Sequence, residues 1–212
     1  MSNQDIYLIS ITPSNVKGII HLPLLTLTTF KPKLNLKEYD TLLFTSKYAV
    51  KAFFEQYELA QQTKIIVIGI ATKKAVINFG YAVDYIAKKS DAKSLSLEIQ
   101  KPFKHNKILY LRAKEVAFDI EASLSNILHI NSVILYETQC NLGTTIKPKK
   151  ASILIFTSPK LVHCFAKRYN FEEYQCIAIG NSTKEAFPHN LDIQIPKTAS
   201  IAKCIELAQK LH

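Results

Sequence analysis

The chain has 212 residues, of which 48% are hydrophobic, so it is long and apolar enough for one large domain or for two of about 100 residues. No run of about 18 or more apolar residues occurs, which excludes a membrane-spanning helix. Residues 1–5 lack the basic segment of a secretory signal peptide, and the apolar run at residues 6–11 is short. We therefore expect a cytoplasmic protein with no membrane partner.

The chain is strongly basic, with a formal net charge of +10 from 27 lysines and arginines against 17 acidic residues. A basic protein attracts polyanions such as nucleic acids, phosphates and polycarboxylates. Only Arg112 and Arg168 are arginines, whereas base-reading contacts and dense phosphate clamps favour arginine. The scarcity of arginine argues against a nucleic-acid partner. It leaves open a small anionic ligand or a lysine-rich composition without a ligand.

The cysteines and histidines show no spacing typical of a metal site or a redox motif. Cys140, Cys164, Cys176 and Cys204 contain no CxxC pair, and the six histidines are scattered. We expect four reduced thiols and no metal.

Predicted strands and helices alternate along the chain. Short apolar runs predict strands at residues 5–11, 39–45, 64–68, 82–86, 107–111, 131–138, 152–157, 175–179 and 191–195. Periodicity and capping residues predict helices at residues 47–57, 71–80, 91–100, 115–128 and 160–168, from residue 182, and at residues 200–211. Residues 19–33 contain two prolines without helical periodicity and predict an extended segment. This alternation is typical of parallel sheets covered by helices.

Two short phrases each occur twice. Residues 43–50 (LFTSKYAV) match residues 155–162 (IFTSPKLV), with an offset of 112 residues (157 minus 45), and both are followed by a phenylalanine. Residues 68–75 (IGIATKKA) match residues 179–186 (IGNSTKEA), with an offset of 111 residues (180 minus 69). The repeat predicts two equivalent halves, each with a strand–hydroxyl–helix corner and a strand–glycine–helix corner.

The repeat also predicts how the halves are connected. The strand at residues 107–111 has its counterpart near the N-terminus, at residues 6–9, so the first strand is expected to complete the sheet of the C-terminal half. We predict an α/β protein with two flavodoxin-like parallel-sheet domains joined by a two-stranded antiparallel ladder. One domain comprises residues 1–19 and 151–212, the inserted domain residues 37–131, and the linkers residues 20–36 and 132–150.

Parallel sheets bind ligands beyond the carboxyl ends of their strands, where the repeated corners lie. A strand that ends in a hydroxyl residue before a helix offers free N–H groups, a hydroxyl and the positive end of the helix dipole. The corners at Ser46, Thr72, Ser158 and Ser182–Thr183 are therefore candidate sites for carboxylates or phosphates. The alternative is that these residues are ordinary helix caps without a ligand.

Stronger enzyme signatures are absent from the sequence, which has no phosphate loop, no GxGxxG and no GxSxG elbow. Tyr136 is the candidate for proton transfer because it lies on the second predicted linker, although it could also simply pack on a domain. Arg112 follows the strand at residues 107–111, where it could bind a carboxylate or cap the surface.

Taken together, these motifs resemble the uroporphyrinogen-III synthase family over nearly the whole chain. The motifs that carry the resemblance are LFTS at residues 43–46 with Phe53, IG at 68–69 with Thr72, LYLR at 109–112, VILYET at 133–138, FTSP at 156–159 with Phe165, and IG at 179–180 with Thr183. The resemblance implies two α/β domains joined by a β ladder, which agrees with the topology expected from the repeat.

The resemblance also implies the substrate and the chemistry. The substrate is hydroxymethylbilane, a linear tetrapyrrole with eight carboxylates, and neither a cofactor nor a metal is used. Ring A loses water to give an azafulvene, ring D attacks through its substituted carbon, and the spiro intermediate recloses with ring D inverted. Without an enzyme the bilane closes to the type I isomer, so the enzyme acts mainly by positioning.

The residues implied in substrate binding are Thr12, Ser46, Lys47, Ala71, Thr72, Arg112, Ser158, Pro159, Ser182 and Thr183, and Tyr136 corresponds to the tyrosine that assists departure of the hydroxyl. The chain departs from the family at two corners. Many members carry an arginine after the first strand, where this chain has residues 10–13 (SITP), so Thr12 or Lys17 would have to replace it. Ala113 stands where a glycine often follows the arginine.

The resemblance implies a monomer that receives its bilane from the preceding, bilane-forming enzyme. One alternative is a non-enzymatic two-domain binding protein for an anionic metabolite. A nucleic-acid-binding protein is disfavoured, because the sequence has few arginines and no basic run interleaved with aromatic residues.

Overall fold

The structure, a computed structural model, describes residues 4–60 and 62–211. The N-terminal residues 1–3, on which part of the signal-peptide expectation depends, lie outside this range. By its internal contacts the chain forms two compact units, one of Met1–Leu27 with Gln139–His212 and one of Thr28–Thr138.

Within the described ranges the strands, in chain order, are β1 (Ile6–Ile9), β2 (Ile19–Leu22), β3 (Leu25–Thr29), β4 (Thr41–Phe44), β5 (Lys64–Val67), β6 (Tyr85–Ile86), β7 (Lys107–Ala113), β8 (His129–Cys140), β9 (Ile153–Phe156), β10 (Gln175–Ala178) and β11 (Ile193–Gln194). The α-helices are α1 (Lys47–Phe54), α2 (Ile70–Asn78), α3 (Ala92–Glu98), α4 (Ile120–Leu124), α5 (Pro159–Ala166), α6 (Asn181–Lys184) and α7 (Ile201–Leu211). Short 3-10 turns occur at Leu36–Glu38 and Phe171–Glu173. The fold is therefore mixed α/β.

The first unit contains a five-stranded parallel sheet in the order β11–β10–β9–β1–β2. Strands β1 and β9 are buried along their whole length, as expected for central strands covered on both faces. Phe156 and Phe165 pack edge to face on one side of the sheet, while Ile155 packs near Ile205 of α7 on the other. This core holds the carboxyl ends of β1, β9 and β10 at one edge.

The second sheet has the order β3–β8–β7–β4–β5–β6, and β6, β5, β4, β7 and β8 run parallel. Strand β4 is fully buried at its centre, with Leu43 and Phe44 inaccessible to solvent. At the β3 side, the N–H of Phe30 donates to the carbonyl of Leu135 at 2.8 Å. The carboxyl ends of β4, β5, β6 and β7 therefore share one edge of this sheet.

Several elements are shorter than the sequence predicts, among them β6 and β11 with two residues each, and two elements differ most. Residues 19–33 were expected to be one extended segment, but Ile19–Leu22 pairs in parallel with β1, after a turn at Gly18 with φ of 85°. The helix expected at residues 115–128 is only Ile120–Leu124, because the side chain of Asp119 accepts the N–H of Ala122 at 3.1 Å and starts the helix there.

The expectation of four reduced thiols is wrong for two of the cysteines. Cys140, at the end of β8, forms a disulfide with Cys164 of α5, with the Cα atoms 5.4 Å apart. Their separation of 24 residues has no motif, and the pairing depends on how β8 meets α5 within the first unit. Cys176 and Cys204 are free and buried, and burial raises the pKa of Cys176 to about 12.

Every helix in the part of the chain that the structure describes is too short or too polar to span a lipid bilayer. The same residues contain no group of three or more His, Cys, Asp or Glu side chains suited to hold a metal ion.

Candidate active site

The side chain of Ser46 connects the start of a helix to the candidate catalytic tyrosine. Strand β4 ends at Phe44, and Ser46 adopts the extended backbone of an N-cap, with its Oγ accepting the N–H of Tyr48 at 3.1 Å. The hydroxyl of Tyr136, on β8, donates to the same Oγ at 2.8 Å. The expected cap at Ser46 is confirmed, and the structure joins it to a residue 90 positions away in the sequence.

This arrangement determines which proton Ser46 can offer. A serine hydroxyl has two acceptor lone pairs and one donor hydrogen. The N–H of Tyr48 and the hydroxyl of Tyr136 fill both acceptor positions. The hydrogen of Ser46 is then the group that can be donated to a ligand, with Tyr136 behind it as the donor that stabilises any negative charge on Oγ.

The environment of Tyr136 keeps its phenol protonated. Only 6% of the residue is exposed, and its ring centroid lies 6.1 Å from that of Tyr48. Burial raises the pKa of Tyr136 above the ordinary value for tyrosine, and the hydrogen bond with Ser46 offsets part of this rise. The hydroxyl is therefore a hydrogen-bond donor throughout the neutral pH range.

A second hydroxyl pair, which the sequence did not single out, lies next to this site. Tyr110, on β7, is 1% exposed, and its hydroxyl is 3.0 Å from Oγ1 of Thr45. Burial is the main cause that raises the pKa of Tyr110. A buried tyrosine in an otherwise aliphatic strand needs a hydrogen-bond partner for its hydroxyl. Tyr110 within the apolar run of β7 is therefore the sequence feature from which this pair could have been predicted.

Arg112 makes its hydrogen bonds within the second unit. Its Nε donates to Oγ of Ser132 at 3.1 Å, and one terminal nitrogen donates to the carbonyls of Ala113 at 3.1 Å and Lys114 at 3.2 Å. The residue lies at the carboxyl end of β7 as expected, half-buried rather than extended into solvent.

Lys47 and the start of α2 lie at the same edge of the second sheet. Lys47 is exposed, with its Nζ 5.0 Å from the ring centroid of Tyr48. Helix α2 begins after Gly69, which leaves Ala71 exposed and Thr72 buried within the first turn. A Cβ on Gly69 would lie 2.8 Å from Oγ of Ser90, so the loop after β6 contacts this corner closely.

The first unit carries the remaining candidates at the carboxyl edge of its own sheet. After β1, Ser10 donates from its buried hydroxyl to the carbonyl of Thr12, and Nε2 of His21 donates to the carbonyl of Ser10 at 2.9 Å. His21 must carry its hydrogen on Nε2, because a carbonyl can only accept. Thr12 itself is exposed.

The second corner of the first unit follows β9. Thr157 donates from Oγ1 to the carbonyl of Ile9 at 3.1 Å, and Ser158 is the N-cap of α5 without a side-chain cap bond, followed by Pro159. At α6 the N-cap is Gly180, with Ser182 exposed and Thr183 buried. The residues that the repeat predicts as equivalent therefore lie at equivalent places, but only Ser46 uses its side chain as a cap bond acceptor.

A cavity of about 620 Å³ in the second unit lies away from these residues. It is lined in part by Lys107 and His129, which are the first residues of β7 and β8. Since those are the amino ends of the strands, the cavity lies at the opposite edge from Ser46.

Comparison with known proteins identifies the family. The profile of the family described as Uroporphyrinogen-III synthase HemD matches residues 18–206 of the chain. The chain belongs to the uroporphyrinogen-III synthase family. The match includes Ser46, Arg112, Tyr136 and the second copy of each repeated phrase.

One curated relative agrees with this assignment. The porphyrin biosynthesis protein HemD of Ruminiclostridium josui is 29% identical over 191 residues, which cover 81% of this chain and 38% of that protein. The chain thus spans well under half of the length of this curated relative.

Solved structures show that the fold is that of this family. The uroporphyrinogen-III synthetase of Helicobacter pylori matches with a TM-score of 0.80 and 24% identity, over 99% of this chain and 100% of that one. A mutant uroporphyrinogen III synthase of the extreme thermophile Thermus thermophilus matches with a TM-score of 0.61 and 10% identity, over 97% of this chain and 98% of that one. The predictions of a mixed α/β fold with parallel sheets and of family membership are confirmed.

Proposed function

We propose that this chain is a uroporphyrinogen-III synthase, which closes hydroxymethylbilane with loss of water and inversion of ring D. The observation that carries the proposal is the contact between Tyr136 and Ser46 at the carboxyl edge of a parallel sheet, in a chain that belongs to this family. The net charge of +10 suits a substrate with eight carboxylates.

The first chemical step is departure of the hydroxyl group from ring A. The pyrrole nitrogen supplies the electron pair that expels the hydroxyl and gives up its N–H proton, and the hydroxyl takes up one proton, so that the net loss is one molecule of water. The hydrogen of Ser46 is directed to this leaving oxygen, and the buried hydroxyl of Tyr136 supports Ser46 as the proton moves. The azafulvene formed in this way is the electrophile that ring D attacks.

The later steps require positioning more than proton transfer. Ring D must attack through its substituted carbon, and the type I product forms when the bilane is not held for this attack. We propose that Lys47, Ala71 and Thr72 hold substrate carboxylates from the second unit, while Ser46 contacts the leaving hydroxyl of ring A. The corresponding contacts from the first unit are proposed for Thr12, Ser158, Ser182 and Thr183, and Pro159, which has no N–H to donate, is proposed to contact the substrate through its ring.

The domain arrangement expected from the sequence belongs to this proposal. Two flavodoxin-like domains are supported by the strand order β2–β1–β9–β10–β11 in the first sheet and, with β7 counted as its first strand, by β8–β7–β4–β5–β6 in the second, where β3 is an additional strand. The N–H of Phe30 donates to the carbonyl of Leu135, and the N–H of Asn141 donates to the carbonyl of Leu24. Residue numbers therefore rise along one strand as they fall along the other. This pattern supports an antiparallel ladder of β3 and β8 as the connection between the domains.

We further propose that the chain acts in the cytoplasm as a monomer and receives its bilane from the preceding, bilane-forming enzyme. These points rest on the family and on the instability of the linear substrate.

The test of the site is Tyr136→Phe, measured by steady-state kinetics on hydroxymethylbilane. We expect kcat to fall by roughly 10²-fold with little change in KM, because the lost hydroxyl acts in the transition state. Tyr57→Phe is the matched control, since the Tyr57 hydroxyl also donates within the second unit, to the carbonyl of Pro32 near the far end of α1. Unchanged turnover in the Tyr136 variant would remove this residue from the mechanism.

A further inference from the structure

The pairing of β7 with β8 contains an irregularity immediately before Tyr136. The two strands pair with a constant offset of 22 residues (129 minus 107) from Lys107 to Arg112, which pairs with Ile134. The next pair is Ala113 with Tyr136, so the register passes over Leu135. One extra residue in one strand is a β-bulge, and bulges next to active sites re-aim a side chain.

Before the bulge, the even-numbered residues of both strands lie on one face of the sheet. Paired residues share a face and successive residues alternate between the faces. Ile108 and Ile130 are such a pair, and both belong to the core cluster that contains Ile120 of α4. Without a bulge, Tyr136 would follow this pattern and point towards α4.

The bulge turns Tyr136 to the opposite face. As the partner of Ala113, Tyr136 takes the position that Leu135 would have in an unbroken register. Its ring lies beside Tyr48 of α1, and its hydroxyl reaches Ser46. The contact that defines the candidate site therefore exists because of one inserted residue.

Arg112 contacts the backbone where the register changes. It bonds to the carbonyls of Ala113 and Lys114, while the N–H of Lys114 donates to the carbonyl of Tyr136 at 2.9 Å. The two bonds from Arg112 satisfy carbonyls at the end of β7. Arg112 thus fixes the end of β7, and the Lys114 backbone bond connects that end to Tyr136 on β8.

The other end of this contact is also fixed. Nε of Arg112 donates to Oγ of Ser132 on β8, and Ser132 in turn donates from its hydroxyl to Glu121 of α4. The N–H of Ser132 donates to the same carboxylate at 2.9 Å. The guanidinium therefore connects Ser132 on β8 to the carbonyls of residues 113 and 114 at the end of β7. The bulge begins between these two contacts, after the pair of Arg112 with Ile134.

We propose that Arg112 is a positioning residue for Tyr136, acting by holding the β-bulge at Leu135 in place. This role rests on the proposed function of Tyr136, and it differs from the expectation that Arg112 binds a substrate carboxylate. A positioning role predicts an effect on turnover that operates through the tyrosine, whereas a carboxylate contact predicts an effect on substrate binding.

The kinetic test is a double-mutant cycle with Arg112→Met and Arg112→Lys, each made with Tyr136 and with Tyr136→Phe. With Tyr136 present, we expect both variants to lower kcat by roughly 10²-fold and to leave KM nearly unchanged, because a misplaced hydroxyl loses its transition-state contact. Lysine should not rescue, since its ammonium group cannot reproduce the planar fork that reaches several acceptors. In the Tyr136→Phe chain the same substitutions should change kcat by no more than about twofold.

Arg168→Met is the matched control. Arg168 is the other arginine of the chain, and it also donates to a backbone carbonyl, that of Thr144 at 2.9 Å, in the first unit. Its replacement should leave kcat unchanged. The proposal is overturned if Arg112→Met raises KM while Arg112→Lys keeps KM near the wild-type value. It is also overturned if the loss of kcat in the double variants is the product of the losses in the Arg112 and Tyr136→Phe single variants.

A measurement without substrate separates this inference from the proposed function. Fluorine NMR of the chain labelled with 3-fluorotyrosine gives a resonance for Tyr136 that is identified by its loss in Tyr136→Phe. This resonance should shift in Arg112→Met and stay in place in Arg168→Met, and an unshifted resonance contradicts the positioning role. If the wild-type chain makes no type III product, the proposed function fails, and the fluorine shift still decides whether Arg112 positions Tyr136.

Discussion

Replacing Ser46 with alanine tests whether this side chain holds the helix cap and the tyrosine together. The substitution removes the acceptor for the N–H of Tyr48, a cap contribution of about 1 kcal/mol. It also leaves the buried hydroxyl of Tyr136 without its partner, at a cost of about 1–3 kcal/mol. The free energy of unfolding should therefore fall by about 2–4 kcal/mol.

The repeat provides a matched control for this experiment. Ser158 is the N-cap of α5 at the equivalent position, but its side chain makes no cap bond. Ser158→Ala should change the free energy of unfolding by no more than about 0.5 kcal/mol. In a Tyr136→Phe chain, Ser46→Ala leaves no buried hydroxyl without a hydrogen-bond partner. The free energy of unfolding should then fall only by the cap contribution of about 1 kcal/mol.

The assay is urea denaturation followed by circular dichroism, with all variants measured at one pH and salt concentration. Equal losses for Ser46→Ala and Ser158→Ala would refute the reasoning. So would a loss for Ser46→Ala that is the same with and without the Tyr136 hydroxyl, because the two groups would then not be coupled.

Two further predictions use the repeat and the disulfide. Gly69→Ala should destabilise the chain by roughly 0.5–1.5 kcal/mol, because its Cβ would lie 2.8 Å from Oγ of Ser90 and that side chain would have to leave its rotamer, whereas Gly180→Ala should be tolerated, because its nearest neighbour is 3.8 Å away. Urea denaturation of both variants checks this, and Gly69→Ala combined with Ser90→Gly should recover the stability; equal losses at the two glycines would contradict it. Cys164→Ala removes a disulfide that closes a loop of 24 residues and should lower the free energy of unfolding by about 3 kcal/mol in the absence of reductant. The wild-type chain treated with dithiothreitol should then match the variant, and an unchanged stability in both would show that the disulfide does not form.

Much of the local structure could be predicted from the sequence, because it depends on neighbouring residues. The cap at Ser46 follows from a hydroxyl between an apolar run and an amphipathic segment, and the end of α2 follows from Gly80, whose φ of 86° favours glycine. Strand β1 was expected beside the strands of the C-terminal half from the repeat alone, and it pairs with β9.

What the sequence could not provide depends on contacts between distant residues. The contact between Tyr136 and Ser46 requires the bulge at Leu135, and no local pattern marks a single inserted residue in a buried strand. The disulfide of Cys140 with Cys164 likewise depends on tertiary packing, since its spacing matches no motif. The sequence did not decide the role of Arg112, because an arginine can equally cap the surface, bind a carboxylate or donate to backbone carbonyls.

The central claim is tested most directly by supplying the purified chain with freshly prepared hydroxymethylbilane and identifying the ring isomer of the product by chromatography after oxidation to the porphyrin. The proposed function predicts predominantly the type III isomer, formed faster than the bilane closes unaided. Type I product at the uncatalysed rate would contradict it.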